Sequence, residues 1–283
     1  MNNREHSHSH VKWLQREFAG AMEYAAEYDA ENTVAHFYNS RLRRVSELLA
    51  DFSCGKVLDV GCGPGIVSKT FLKKPIEYYG VDVSEEMIKV CIERHRDDPA
   101  RHFFQGRIEE LPFRDSCFDV VLCLGAFEYV FDGNIAIDEI LRVLDPRGIL
   151  IITMLNKSSP YLTWEDKIYW KLKNLERRLI GLAGIGKNRR RGNAPKRKCF
   201  TLRLHKERAL RSMLTSKGMM ILDIVYYNFN LFLLPLDAWF PKAAVCFSKK
   251  LECLCRSMLK SLGTGYIVKC RKCVACGLMG PER

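Results

Sequence analysis

The segment VLDVGCGPG, residues 57–65, holds the residue types best suited to chemistry: an acidic side chain, Asp59, near the end of a short apolar run, then glycines at 61, 63 and 65. Glycine lets the backbone turn sharply and lets a ligand approach closely. A G-x-G-x-x-G spacing would favour a dinucleotide, with its pyrophosphate on a helix N-terminus. Here the spacing is G-x-G-x-G, and Ile66 stands where the third dinucleotide glycine belongs. An acidic residue closing the preceding strand suits a ligand that carries an ammonium group. Asp82 ends the next apolar run, YYGVDV (78–83), where a carboxylate can accept both hydroxyls of a ribose. Together these favour a nucleoside with an amino-acid tail. Glu128, in GAFEYV, follows a further apolar run and is a candidate base or substrate-orienting group.

The elements that must position these residues can be read from periodicity. Val11–Tyr28 and Val34–Leu49 carry apolar residues at helical spacing. From Lys56 the pattern alternates: strand 56–60, helix Pro64–Lys74, strand 78–83, and a helix capped by Ser84 with Met87, Ile88 and Cys91 inward. Strands 102–106 and 118–124, helix Asn134–Leu144 and strand 148–155 follow. Such alternation argues a parallel sheet covered on both faces. Beyond it, Trp164–Leu182 and His205–Lys217 read as helices, Met219–Tyr227 and Gly265–Arg271 as strands, and Asn228–Leu262 as an apolar, Pro-broken insertion.

Five of these segments resemble class I S-adenosylmethionine-dependent methyltransferases, in particular the small-molecule branch that includes quinone biosynthesis. They are Val57–Gly65, YGVDVSEEM (79–87), GRIEELPF (106–113), CFD (117–119) and LRVLDPRGIL (141–150), spanning about residues 55–155. The resemblance implies a Rossmann-like α/β fold: a seven-stranded mixed sheet, six strands parallel and Gly265–Arg271 antiparallel, with helices on both faces. It implies an N-terminal helical lid (1–52), a cofactor-binding core (53–155) and a substrate side with C-terminal insertions (156–283). The implied cofactor is S-adenosyl-L-methionine, which leaves as S-adenosyl-L-homocysteine. Asp59, Gly61 and Gly63 would line its methionine part, with Leu124 beside it, and Gly65 would shape the loop. Asp82 would hold the ribose, Val83 and Met87 would flank the adenine, and Ile108 would offer it a backbone N–H. Tyr28 would sit on the lid. Arg107 departs from the family pattern, which often has an acidic residue there to accept the adenine amino group; arginine cannot accept a hydrogen bond. Glu109 or backbone would then take that role.

Charge bears on partners. The 45 Lys/Arg and 33 Asp/Glu give +12. Residues 1–186 hold 24 basic against 28 acidic residues, and 187–283 hold 21 against 5, so the excess lies entirely in the last third. The block Lys187–Arg211, beside the apolar run 229–241 with Trp239, has the pattern of an element lying on an anionic membrane surface. Nucleic acid is disfavoured, because Phe200 alone is available for stacking. The runner-up reading is an RNA methyltransferase, and a third is a cofactor-binding protein without catalysis. No metal is expected: Cys270, Cys273 and Cys276 lack a fourth nearby ligand unless Cys253 or Cys255 supplies it, and His6, His8 and His10 read as a polar terminus. The opening residues are no signal peptide, and the longest uncharged apolar stretch, Ile224–Leu236, is too short to span a bilayer as a helix. The expected place is the cytoplasm, peripheral to a membrane.

Overall fold

A computed structural model describes residues 10–11, 13–15, 20–71, 74–182 and 204–273, with side chains for all of these except 177–182. One sheet of seven strands organises the chain, in the order β3-β2-β1-β4-β5-β7-β6. The strands are β1 Gly55–Val60, β2 Ile76–Asp82, β3 Arg101–Gln105, β4 Phe118–Cys123, β5 Leu144–Leu155, β6 Met219–Tyr227 and β7 Gly265–Lys272. Pairing is parallel from β3 through β5. Only β7 runs antiparallel, to both of its neighbours, as expected. Val57, Leu58, Val60, Val120, Val121 and Leu122 are all buried, which requires cover on both faces of the sheet.

Helices supply that cover. Helix α1 is Ala21–Ala26, α2 Thr33–Leu48, α3 Glu85–Arg94 and α4 Gly133–Val143. Ser84 Oγ caps α3 by accepting the Met87 N–H, and Met87, Ile88 and Cys91 face inward. Asp132 caps α4, which buries Ala136, Ile137 and Ile140. The chain leaves β1 toward β2 and returns to place β4 on the other flank of β1. Right-handed crossovers in opposite directions put helices on opposite faces and open a crevice at the carboxyl ends of β1 and β4.

Two expected helices differ. Within the expected helix Val11–Tyr28, Gly20 is non-helical, at φ −124° and ψ 58°, and α1 begins after it; glycine is the weakest ordinary helix former. The expected helix 64–74 is a tighter 3₁₀ turn at Ile66–Phe71. Its first turn is bound back to the glycine loop, with Ser68 Oγ donating to Gly65 O at 2.6 Å. The insertion after β6 contains α8 Leu236–Trp239 and α9 Pro241–Leu251. Helices α5 Pro160–Trp164 and α6 Trp170–Leu182 join through a π-type turn at Glu165–Tyr169, and α7 is Glu207–Ser216. The basic run 187–203, His6, His8 and Cys276 lie outside the described residues. No helix among the described residues is long and apolar enough to cross a membrane. Among them, too, no group of three His, Cys, Asp or Glu side chains is placed to hold a metal; Cys270 is buried within β7.

Candidate active site

A cleft of about 810 Å³, its open mouth included, lies at the carboxyl ends of β1, β2 and β4. It is of the size that holds a small organic ligand. Nine residues singled out in the sequence meet on its walls: Gly61, Gly63, Asp82, Val83, Met87, Arg107, Ile108, Glu109 and Leu124. Tyr28, Asp59, Gly65 and Glu128 are not on that lining.

The glycine loop is held against the end of β2. The N–H groups of Gly61 and Cys62 donate to Val81 O at 2.7 and 3.0 Å. Asp82 accepts from Gly63 N through Oδ2 and from Ser84 N through Oδ1, both at 2.9 Å. Burial raises the Asp82 pKa, and these backbone N–H groups oppose the rise. A carboxylate has about four lone-pair sites, so acceptor capacity remains toward the cleft. Gly61 sits at φ +75° and a Cβ there would collide with the Ala126 side chain. Gly63, at φ +53°, has nothing closer than Tyr24 Cε1 at 3.8 Å from where its Cβ would be. That side of the loop is open for a ligand. Next to Ile108, Arg107 pairs with Glu109 at 3.6 Å, and Glu109 Oε1 accepts the Phe131 N–H at 2.8 Å.

Behind the lining lies a buried polar group of residues. Asp59 is 1% exposed; its Oδ2 accepts from the Tyr78 hydroxyl at 2.6 Å, and its Oδ1 has no partner. Burial pushes its pKa up to about 7. Arg41, from α2, is also buried, in a nest of tyrosines. It donates to Tyr28 OH at 3.1 Å, lies over the Phe37 and Tyr38 rings, and leaves Nε without a partner. Its Nη1 abuts Gly125, which lines the cleft. Glu128 is 4% exposed, its Oε1 accepts Leu155 N–H at 2.9 Å, and its Oε2 is unpartnered. It therefore clips the end of β5 rather than facing the cleft. Tyr28 likewise stands one layer back, stacked on Tyr38 at 4.6 Å, while Tyr24 faces the cleft.

Sequence reading missed Arg41, Tyr24, Ala126, Tyr129 and the lining role of His10 and Leu14. His10, expected in a polar terminus, is instead 6% exposed against Tyr129 and Phe131.

Residues 58–152 match the family described as "Methyltransferase domain". Residues 58–152 carry a methyltransferase domain. Among curated relatives, phthiotriol/phenolphthiotriol dimycocerosates methyltransferase 1 of Mycobacterium ulcerans is 35% identical over 144 residues, covering 49% of this chain and 53% of that protein. The fatty-acid O-methyltransferase of Mycolicibacterium smegmatis is 30% identical over 140 residues, covering 48% and 50%. The chain thus spans about half the length of the curated relatives it matches. Among solved structures, an S-adenosylmethionine-dependent methyltransferase of Thermotoga maritima shares the fold at TM-score 0.57 and 19% identity, covering 93% of this chain and 100% of that one. The cyclase SpnF shares it at TM-score 0.51 and 22% identity, covering 81% and 80%. A fold common to both does not by itself decide between their reactions.

Proposed function

We propose that this protein transfers a methyl group from S-adenosyl-L-methionine to an O, N or C atom of a small lipophilic metabolite, at or near an anionic membrane surface. The observation that carries the cofactor reading is the cleft between the glycine loop and Asp82, with the unpartnered Asp59 Oδ1 and Arg41 Nε behind it. A buried carboxylate and a buried guanidinium, each with a polar atom left unpaired, are costly. A ligand with an amino-acid tail offers the complementary ammonium and carboxylate. The open side of Gly63 admits it without a side-chain clash, and Asp82 retains acceptor capacity for two hydroxyls. The donor set fits the cofactor.

Bound S-adenosylmethionine supplies a methyl already activated on a sulfonium. The work left to this chain is binding, orientation and exclusion of water. Val83, Met87 and Ile108 offer an apolar slot for a flat ring, and Leu124 walls the reacting end. Residues 10, 14 and 24 close the cleft from the lid side. Holding two reactants in line contributes roughly 7–11 kcal/mol when the geometry is good. His10, Tyr24, Glu109 and Tyr129 are the cleft residues able to accept or relay an acceptor proton. The lipophilic acceptor class is supported by the relatives, whose names are those of dimycocerosate and fatty-acid methyltransferases.

The test is calorimetry with S-adenosylhomocysteine and NAD, followed by transfer of labelled methyl to fractionated lipid extracts. Binding of S-adenosylhomocysteine and label in an organic-soluble product are expected. Tight NAD binding with no response to S-adenosylhomocysteine would overturn the reading.

A further inference from the structure

We infer that the surface of the segment between β6 and β7, residues 231–259, is a docking face for an anionic lipid bilayer, with Trp239 and Phe240 entering the interface. The inference rests on the lipid-acceptor reading above for its use, and on side-chain exposure and charge for its physical basis.

Large apolar side chains usually face inward, and a cluster of exposed ones marks a contact surface. Here Trp239 is 68% exposed, Phe240 56%, Leu231 52% and Leu236 45%, all within ten residues. Phe247, on α9, is 49% exposed and its ring lies 5.5 Å from that of Phe232. The segment is well anchored beneath. Asp237 is buried and accepts from Tyr161 OH at 2.6 Å, and Trp164 Nε1 donates to Leu234 O at 2.9 Å. These bonds join α5 to the segment. The helical continuation of α5 presents Leu172 and Leu175, at 57% and 53% exposure, on one face of α6. Apolar groups thus emerge from two connected elements.

Charge selects the occupant. Residues 228–262 contain seven charged side chains: Asp237, Glu252, Lys242, Lys249, Lys250, Arg256 and Lys260. Both acids are buried: Glu252 pairs with Arg44 at 2.8 Å and accepts the Asn228 N–H. Every charge that reaches the surface is positive. Lys242, Arg256 and Lys260 have acidic neighbours in Glu31, Asp223 and Glu207. Lys249 and Lys250 are exposed, with no carboxylate at ion-pair distance among the described residues. Lys250 sits over the Phe247 ring at 5.8 Å. An exposed tryptophan among apolar side chains, in a segment whose own surface charges are all cations, matches the acyl–headgroup boundary of an anionic leaflet. A second copy of this chain fits worse. A two-fold contact across this face would bring the same lysines together.

The test is co-sedimentation of the full chain with phosphatidylcholine vesicles, and with vesicles also containing phosphatidylglycerol, at low and high salt. The wild type should pellet with the anionic vesicles at low salt and less at high salt. Lys249→Ala/Lys250→Ala should weaken partitioning about 30-fold, from ~1 kcal/mol for each cation near the surface. Trp239→Ala/Phe240→Ala should weaken it by about tenfold or more through lost apolar insertion. All four side chains are exposed, so the fold should survive. Wild type left in the supernatant at low salt, or a Trp239→Ala/Phe240→Ala protein that pellets like wild type, overturns the inference. So does a dimer in sedimentation velocity that this variant dissolves, since a second copy would then own the face. S-adenosylhomocysteine calorimetry on the same samples keeps the two readings apart. In the wild type, cofactor binding without vesicle binding refutes the docking face alone, and vesicle binding without cofactor binding refutes the cofactor reading alone.

Discussion

Lowering the pH from 8 to 5.5 should weaken S-adenosylhomocysteine binding through Asp59. Its carboxylate is buried, and desolvation lifts its pKa from an ordinary 3.8 to about 7. In the free protein it is then about 90% ionised at pH 8 and about 3% at pH 5.5, by simple titration. An ammonium-bearing ligand selects the ionised form, so the apparent dissociation constant should rise about 30-fold over that range, or ~2 kcal/mol. The groups facing Asp59 are Tyr78 and Asp82 from β2, Arg41 from α2, Cys62 from the loop and Cys123 from β4. Asp59→Asn removes the titration while leaving these groups in place, so its binding should be weak and nearly flat with pH. Stability carries the opposite sign. A folded pKa raised above the unfolded one means stability is full below about pH 4 and is lost as the pH rises toward 7. The whole loss is of order 4 kcal/mol for a shift of this size. The ligand-free Asp59→Asn protein should therefore melt higher than wild type at pH 8 and close to it at pH 4. Isothermal calorimetry and thermal melts across pH 5.5–8 read both effects. A wild-type affinity that does not change with pH, or an Asp59→Asn protein that keeps the wild-type slope, refutes this role for Asp59.

Asp82→Ala should weaken S-adenosylhomocysteine binding by about 1–3 kcal/mol, because ribose hydroxyls lose a charged acceptor; unchanged calorimetry with intact circular dichroism counts against it. Gly61→Val should abolish binding, since its Cβ would strike Ala126 at a backbone conformation valine rarely adopts; a folded variant with wild-type affinity would refute the loop geometry. Arg41→Met should cost S-adenosylhomocysteine about tenfold or more in affinity, through loss of a charge-assisted bond. It should leave 5′-methylthioadenosine, which lacks the amino-acid tail, unaffected; equal losses for both ligands would make Arg41 a purely structural residue.

What the amino-acid sequence determined by itself is local. The loop at 57–65 was legible because three glycines at that spacing, after an apolar run ending in Asp59, restrict the backbone whatever surrounds them. Strand and helix alternation, the Ser84 cap and the antiparallel final strand were legible from periodicity, turn chemistry and family likeness. The carboxylate of Asp82 could be set at the cleft because it closes a strand beside that loop. Other features came only with the tertiary structure. Asp59 and Tyr78 meet because β1 and β2 pair in a register that sets Tyr78 opposite Val57, two residues before Asp59 and on the same face. No sequence pattern gives that register. Tyr24 rather than Tyr28 faces the cleft, because α1 starts after Gly20 and Tyr28 stacks on Tyr38 beneath Arg41. Arg41 looked like one cation among several in TVAHFYNSRLRRV; its burial depends on α2 lying across the ends of distant strands. Exposure, desolvation and unpaired atoms belong to the packed whole, because solvent is excluded by all the elements together and not by any one segment.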